Sequence, residues 1–527
     1  MNSRFFSACG LSLSLALVAA PALAQAPRAL TERDVVAAAV VNNPTLHVAL
    51  LRAQQSRYNL SAEQALYTPV FDANAGYTRL RSPSLVGPRF DDAGMLLVPA
   101  GTRVGGSEVI DVGAGITKPF AYGTLLSASI SGQRSSRTSF EEQALLGASG
   151  PGYALVGRLS ATQPLLRGAG TELGLASLRQ AKLNLTASQL AAQAAASELL
   201  SQVVSAYWEL WYSAEAVHIN EASRDLAHVQ QDQARQQVES GALAPASALP
   251  YATQLAVLEE AVLAARTVVR QRELSLSQLL GQSSAVGEGL SASDAPAAAT
   301  DDEPALPSAV NDALRNSYAR KQLQTQLAIV KDQLKIAGDP LRPRLDLDAY
   351  VQAQGLGNQR VPPAFQQFGQ MEAVSAHVGL TFEMPLSDTR RSSQIQAAQL
   401  AAHVAEKQLQ ENELTVRSSV ASAIAQRRAA RERLQLASQT EKIARQQAEA
   451  ERARFLAGSS IAITVQQAED SYRQAQLRVQ RARVDLVLAD LDLAELRGNL
   501  LERYADAVQH LPAAERATLG NSAISNF

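Results

Sequence analysis

The chain is poor in the residues that carry most protein chemistry. It has one cysteine, Cys9, in 527 residues. Because Cys9 lies ahead of most of an N-terminal apolar stretch, the remainder offers no disulfide framework, thiol nucleophile or cysteine-ligated metal. Beyond that stretch no run of eighteen apolar residues occurs, so no helix is expected to cross a membrane. Aromatic residues make up only 5%, and the formal charge of −2 contains no basic excess to favour nucleic acid. The P-loop pattern G-x-x-x-x-G-K-[ST] is missing, so nucleotide hydrolysis is not expected and energy for any transport must come from partners. Six histidines are present but none forms an H-x-x-x-H pair; His218 and His228 stand about 280° apart around a helix. No catalytic constellation, cofactor site or metal site is expected.

Several features are present instead. Arg4, the apolar run Leu11 to Ala20, and Ala22-Leu23-Ala24 ahead of Gln25 have the layout of a secretory signal peptide over 1–24. Its loss would leave 47 basic and 50 acidic residues, a formal −3. The rest is internally duplicated. Gly241 and Gly458 are 217 residues apart, as are Gly281 and Gly498. Gln163-Pro164-Leu165 and Met384-Pro385-Leu386 lie 221 apart, and the difference of four falls in Arg167-Gly168-Ala169-Gly170, which only the first copy has. Duplication at this scale points to architecture. The expected organisation is a first repeat over 25–281, a Ser, Ala, Asp and Pro-rich surface linker over 282–307, a second repeat over 308–500 and a tail over 501–527.

Each repeat pairs alternating segments with long helices. Val374, Ala376, Val378, Leu380, Phe382 and Met384 alternate with Ser375, His377, Gly379, Thr381 and Glu383. Leu345, Leu347, Ala349, Val351 and Ala353 alternate with polar neighbours in the same way. Together they predict strands over about 344–356 and 374–386, matched by about 70–82 and 152–165 in the first copy. Eleven residues suit a tilted membrane strand, and membrane strands must close into a barrel. Val374, Val378, Leu380 and Phe382 would then face lipid. Four strands per chain are too few for closure, where about eight are needed; a trimer supplies twelve. Between the first-copy strands a further hairpin is predicted over about 109–135. It could rise above the barrel, fold into it or join its wall, and the length usual for outer loops favours the first.

Residues 171–240 and 388–457 contain no proline and only Gly174, and predict two helices of about 105 Å with Thr171 and Asp388 as N-caps. Gly241 and Gly458 mark reversals, so helical hairpins cover 171–281 and 388–498. Tracts such as Leu190-Ala191-Ala192 allow close helix packing. Tyr207, Trp208, Trp211 and Tyr212 suit packing better than a ligand stack.

These features together, with Gln-Pro-Leu-Leu-Arg-Gly-Ala-Gly ending the strand and the more loosely matched Asn43-Pro44 and Asn316, resemble the TolC-like outer-membrane efflux proteins over roughly Leu30 to Leu500. The resemblance implies a mostly α fold with a small transmembrane β part: a homotrimer with a 12-stranded barrel of four strands per chain, a periplasmic α-barrel, and an equatorial belt that includes the tail. It implies an outer-membrane exit duct for tripartite efflux or type I secretion, working with a periplasmic adaptor (membrane fusion protein) and an inner-membrane pump. The implied adaptor-docking tips are Gly241, Ala242, Leu243, Gly458, Ser459 and Ser460. Members with an acidic constriction carry aspartates where this chain has Ser247, Thr464 and Gln467, so strong cation selectivity is not expected unless Glu469 or Asp470 supplies it. A periplasmic adaptor or structural protein built on coiled-coil hairpins, with its strands in a soluble barrel, is the alternative.

Overall fold

The computed structural model describes residues 28–138, 151–282, 289–296, 304–384, 386, 389–516 and 519. The signal-like segment, Pro385 and Asp388 lie outside them. From Leu30 to Leu500 two halves are visible, each running from short helices through strands to a long helical hairpin.

Helix α1 (Glu32–Asn42) opens with a capping box between Thr31 and Asp34, and α2 (Pro44–Ala65) starts where the Asn43 side chain accepts the Thr45 and Leu46 amides at 2.9 and 3.1 Å. The first long helix, α4 (Ala176–Glu239), contains 64 residues and spans about 96 Å; α9 (Thr389–Leu456), with 68, spans about 102 Å. Thr171 does not cap α4. It begins a separate turn, α3 (Thr171–Gly174), behind Gly170, and the break falls where a Cβ on Gly174 would lie 2.0 Å from the Ala121 carbonyl. Returning helices α5 (Pro245–Leu279) and α10 (Ala462–Leu496) lie along α4 and α9.

All four repeat glycines take positive φ: +77° at Gly241, +66° at Gly281, +73° at Gly458 and +70° at Gly498. Each ends its helix with the same paired turn. At Gly281 its own amide reaches the Gln278 carbonyl at 3.1 Å and the Gln282 amide reaches Ser277 at 3.1 Å; at Gly498 the donors are Gly498 and Asn499, to Glu495 and Ala494. The upper pair also seats the next helix. Asn43 Nδ2 donates to the Leu279 carbonyl at 2.8 Å, and Asn316 Nδ2 to the Arg497 carbonyl at 3.2 Å. Thus α5 abuts α2, and α10 abuts the junction of α6 (Leu306–Asn316) with α7 (Tyr318–Ala337). One chain presents four helical columns, in the order α2 with α5, α4, α7 with α10, then α9.

Small side chains line the column contacts, among them the buried Ala192, Ala196, Ala405, Ala423, Ala475 and Ala482. The main core is a belt at mid-height, where α1, α4, the ends of α5 and α10, and the tail meet around Leu200, Tyr207 and Leu210. Leu500, at the end of the second repeat, and Leu501, Tyr504 and Leu511 of the tail are buried in it. The aromatic cluster packs there too, with Tyr207 edge-on to Trp208 at 5.2 Å and Trp208 edge-on to Trp211 at 6.3 Å. The linker is not wholly a surface segment. Its β8 (Leu290–Ala292) pairs in parallel with β1 (Arg28–Leu30), and Asp294 accepts the Glu32 amide at 2.7 Å.

The main sheet corrects the strand count. It holds six antiparallel strands in the order β10-β9-β7-β6-β5-β2. These are β2 (Val70–Val86), β5 (Gly101–Pro119), β6 (Leu125–Thr138) and β7 (Gly152–Pro164) from the first half, with β9 (Arg344–Asn358) and β10 (Ala373–Glu383) from the second. The extra hairpin is part of the wall, since β2 pairs with β5 and β7 with β6, and nothing joins β2 to β7. Among the described residues, the outer ends of β2 and β5, beside the small β3 (Arg89–Phe90) and β4 (Leu96–Val98) ribbon, extend beyond it.

Candidate channel wall and helix tips

Register fixes the two faces of the sheet, because directly opposed residues in antiparallel strands point the same way. On one face stand Phe71, Ala73 and Ala75 of β2 beside Ile116, Ala114 and Val112 of β5. The row continues through Ala128 and Ile130, Leu159 and Ala161, Ala349 and Val351, and ends at Val374, Val378, Leu380 and Phe382. Over most of its extent the face is bare: Phe71 is 67% exposed, Ile116 51%, Val378 74% and Phe382 62%. A contiguous apolar surface of this extent suits hydrocarbon, not water. Near its far end a short helix, α8 (Pro362–Gly369), lies against it, seated on Gly157, Gly355 and Gly357, where side chains would collide with Phe368, Ala364 and Arg360.

The opposite face is polar and internally bonded. Thr162 and Thr381 donate to Asp348 at 2.9 and 3.3 Å, Asn74 donates to Asp111 at 3.3 Å, and the Ser127 and Ser160 hydroxyls meet at 2.7 Å. Arg158 lies 3.9 Å over the Tyr350 ring, which stacks on His377 at 5.1 Å. At its lower end Arg344 and Arg167 gather around Asp346 and Glu383.

The junction below the wall explains the loop unique to the first copy. The β5–β6 turn, Phe120 to Thr124, sits on Arg167–Gly170. The Gly170 amide donates to the Tyr122 carbonyl at 3.3 Å, the Gly168 carbonyl lies 2.6 Å from where a Gly123 Cβ would be, and the Gly168 amide donates to Asp339 at 2.9 Å. The extra loop is therefore the seat of the extra hairpin.

At the other extreme, Gly241, Ala242, Gly458 and Ser459 are exposed, whereas Leu243 and Ser460 are half-buried. The left-handed turns close through Ala242 to Gln237 at 2.8 Å and Ser459 to Arg454 at 2.9 Å. Ser460 does not point freely outward: its hydroxyl donates to Glu451 at 2.9 Å. That bond, followed by Arg454, holds the Glu451 carboxyl below the usual range. Ser247, Thr464 and Gln467 are all exposed, Thr464 donating to the Ile461 carbonyl at 3.0 Å. The nearby acids are already answered by cations. Glu469 pairs with Arg452 at 2.7 Å and accepts from Gln230 at 3.0 Å, and Asp470 pairs with Arg473 at 2.6 Å. Glu469 thus links α10 to α4 through Gln230, and Arg473, held by Asp470 on its own helix, donates to Asn220 of α4; both contacts tie the first helical hairpin to the second.

The residue pattern gave no hint of a groove of about 280 Å³ between the two hairpins, lined by Val229, Tyr251, Phe455, Leu456 and Val465. Those five come from α4, α5, α9 and α10, and only an apolar residue recurring on an otherwise wet helix end could have signalled it. Among the described residues no three His, Cys, Asp or Glu side chains gather as a metal site requires, and no single helix is long and apolar enough to cross a membrane.

Comparison with known proteins bears on this arrangement directly. Residues 309–499 match the family model for outer membrane efflux protein. No match is found among curated proteins. Among solved structures, the chain is similar to the Campylobacter jejuni CmeC outer membrane channel, at 13% identity over 92% of this chain and 90% of that one, with a TM-score of 0.65. It is similar to Vibrio cholerae VceC, at 15% identity over 89% and 96%, with a TM-score of 0.60. The open-state Neisseria gonorrhoeae MtrE channel gives 15% identity over 89% and 88%, with a TM-score of 0.60. At these identities the likeness is one of fold, and that fold is the mostly helical, part-β architecture of outer-membrane channels.

Proposed function

From an outer membrane efflux assignment for residues 309–499, and a channel fold over 92% of the chain, we propose a passive outer-membrane exit duct built from three copies of this chain. The observation that carries the reading is the bare apolar face running unbroken across six strands, backed by a polar face, at one end of helices about 100 Å long. Such a sheet cannot stand alone in lipid, because its edges would leave backbone groups unpaired. Helices of that length reach far beyond a bilayer core of about 30 Å. The duct therefore runs from the outer membrane deep into the periplasm.

The tips are the docking end for a periplasmic adaptor, which couples the duct to an inner-membrane pump. Exposed Gly241, Ala242, Gly458 and Ser459 support this, as does the apolar groove beside them. They are also the gate. The Gln230 contact to Glu469, a carboxylate that Arg452 braces from within the second hairpin, joins the two hairpins of a chain where opening has to separate them. The periplasmic adaptor alternative gives the exposed Val378, Leu380 and Phe382 no partner.

Fractionation tests the proposal. The protein should extract from outer membranes with detergent as a heat-dissociable trimer, and should cross-link to its adaptor through Ala242→Cys or Ser459→Cys. A monomer in the soluble periplasmic fraction would refute it.

A further inference from the structure

Resting on the trimeric channel reading, we infer that the membrane wall closes with eighteen strands, the free edge of β10 in one copy pairing with the free edge of β2 in the next. Six strands per chain, all paired in sequence, make the count. Parity makes it possible: β2 leads away from the helices and β10 returns toward them, so the two edges meet antiparallel, like every pair inside the sheet. Chemistry makes it necessary. Val374, Val378, Leu380 and Phe382 on one edge, and Phe71, Ala73 and Ala75 on the other, belong to the same apolar face, at a depth where water cannot satisfy an edge.

The β5–β6 hairpin cannot be moved aside to lower the number. Its Val112, Ala114, Ile116, Ala128 and Ile130 continue the apolar face between β2 and β7, its polar side carries Asp111, Ser129 and Ser131, and its turn is pinned by Gly170, Gly168 and Gly174. Folded into the lumen, those apolar residues would face water.

The circumference agrees with the helical tube beneath. Eighteen strands about 4.8 Å apart, tilted by about 40°, make a ring of about 110 Å, whereas twelve would make about 75 Å. Four helical columns per chain give twelve in a trimer, and at 8–10 Å spacing they occupy about 100–120 Å. Eighteen strands therefore continue the helical tube at nearly constant bore. The outer-membrane segment sets no size limit of its own, and selection by size falls to the tips.

Cysteine mapping in the intact trimer in outer membranes tests this. If Cys9 leaves with the signal, the background is free of thiols. Ala75→Cys combined with Val378→Cys or Ala376→Cys should give a disulfide ladder that ends at three chains and collapses on reduction. Ala128→Cys with Leu159→Cys should close within one chain. Ser129→Cys should react with an aqueous maleimide while Ile130→Cys is protected. A direct disulfide between Ala73→Cys and Leu159→Cys, with Ile130→Cys open to aqueous reagent, would overturn the count while leaving the three-chain ladder intact. A chain that gives no ladder and sediments as a monomer would overturn the trimer itself.

Discussion

Glu469 is the side chain whose removal should open the duct. Its carboxylate lies on α10, pairs with Arg452 of α9 at 2.7 Å and accepts from Gln230 of α4 at 3.0 Å. Arg452 is 48% exposed, so solvent screens the ion pair to about 0.5 kcal/mol. The charge-assisted bond from Gln230 adds about 1 kcal/mol net. Of these two contacts only the Gln230 bond crosses between hairpins, so Glu469→Ala weakens the closed tip by about 1 kcal/mol per chain, and by about 3 kcal/mol where the hairpins of three chains part together. That is roughly a 150-fold change in the open-to-closed ratio, a little over half of the roughly 5.5 kcal/mol needed to invert a 1:99 equilibrium. Single-channel recording in planar bilayers reads this as a rise in open probability, and cells should become sensitive to a bulky antibiotic that the outer membrane normally excludes. Gln230→Ala should reproduce most of the effect, and the double variant should add little to Glu469→Ala. An unchanged open probability for Glu469→Ala, or strictly additive single effects, would sink the argument.

Other outcomes follow from the same geometry. Gly281→Ala should lower the melting temperature more than Gly241→Ala. Both give up a left-handed glycine, costing about 1–2 kcal/mol, but only at Gly281 does the new Cβ approach a carbonyl, that of Asn42, at 2.2 Å; equal circular-dichroism melts would refute this. Thr464→Asp should raise cation selectivity in bilayer reversal potentials, and an unaltered potential would remove Thr464 from the pore lining. Burial pushes the Tyr207 phenol up to about 12. Its folded value exceeds its unfolded one, so its contribution is complete below about pH 10 and is lost as pH rises through about 12. Tyr207→Phe should remove part of the alkaline loss of helicity between those values, and an identical alkaline profile would count against it.

Much of this architecture is legible in local pattern. Alternation along Val374–Phe382 and Leu345–Ala353 identifies a face without knowledge of its neighbours, and equal spacing of Gly241, Gly281, Gly458 and Gly498 locates the helix ends because only glycine takes that φ cheaply. Strand order is another matter. Ile110–Ile116 and Leu126–Ile130 alternate as clearly as the other strands, but alternation cannot say that β2 pairs with β5 and not β7. Thr171 fits the pattern of a cap and loses that role through a tertiary contact, Gly174 against Ala121. Glu469 reads as a free acid near the tip until Gln230, 239 residues away, arrives beside it. The tip groove escapes for the same reason, since its lining comes from four separate helices.

The seat that Arg167–Gly170 provides for the β5–β6 turn makes a short loop a reporter for something much larger. Four residues after a strand-ending Pro-Leu distinguish one half of the chain from the other, and the half that has them also has the additional pair of strands. Loop and turn act as one supported unit: grafting the hairpin onto the second half without the loop should leave its turn unsupported, and deleting the loop alone should unseat a hairpin whose own strand pairing is otherwise intact.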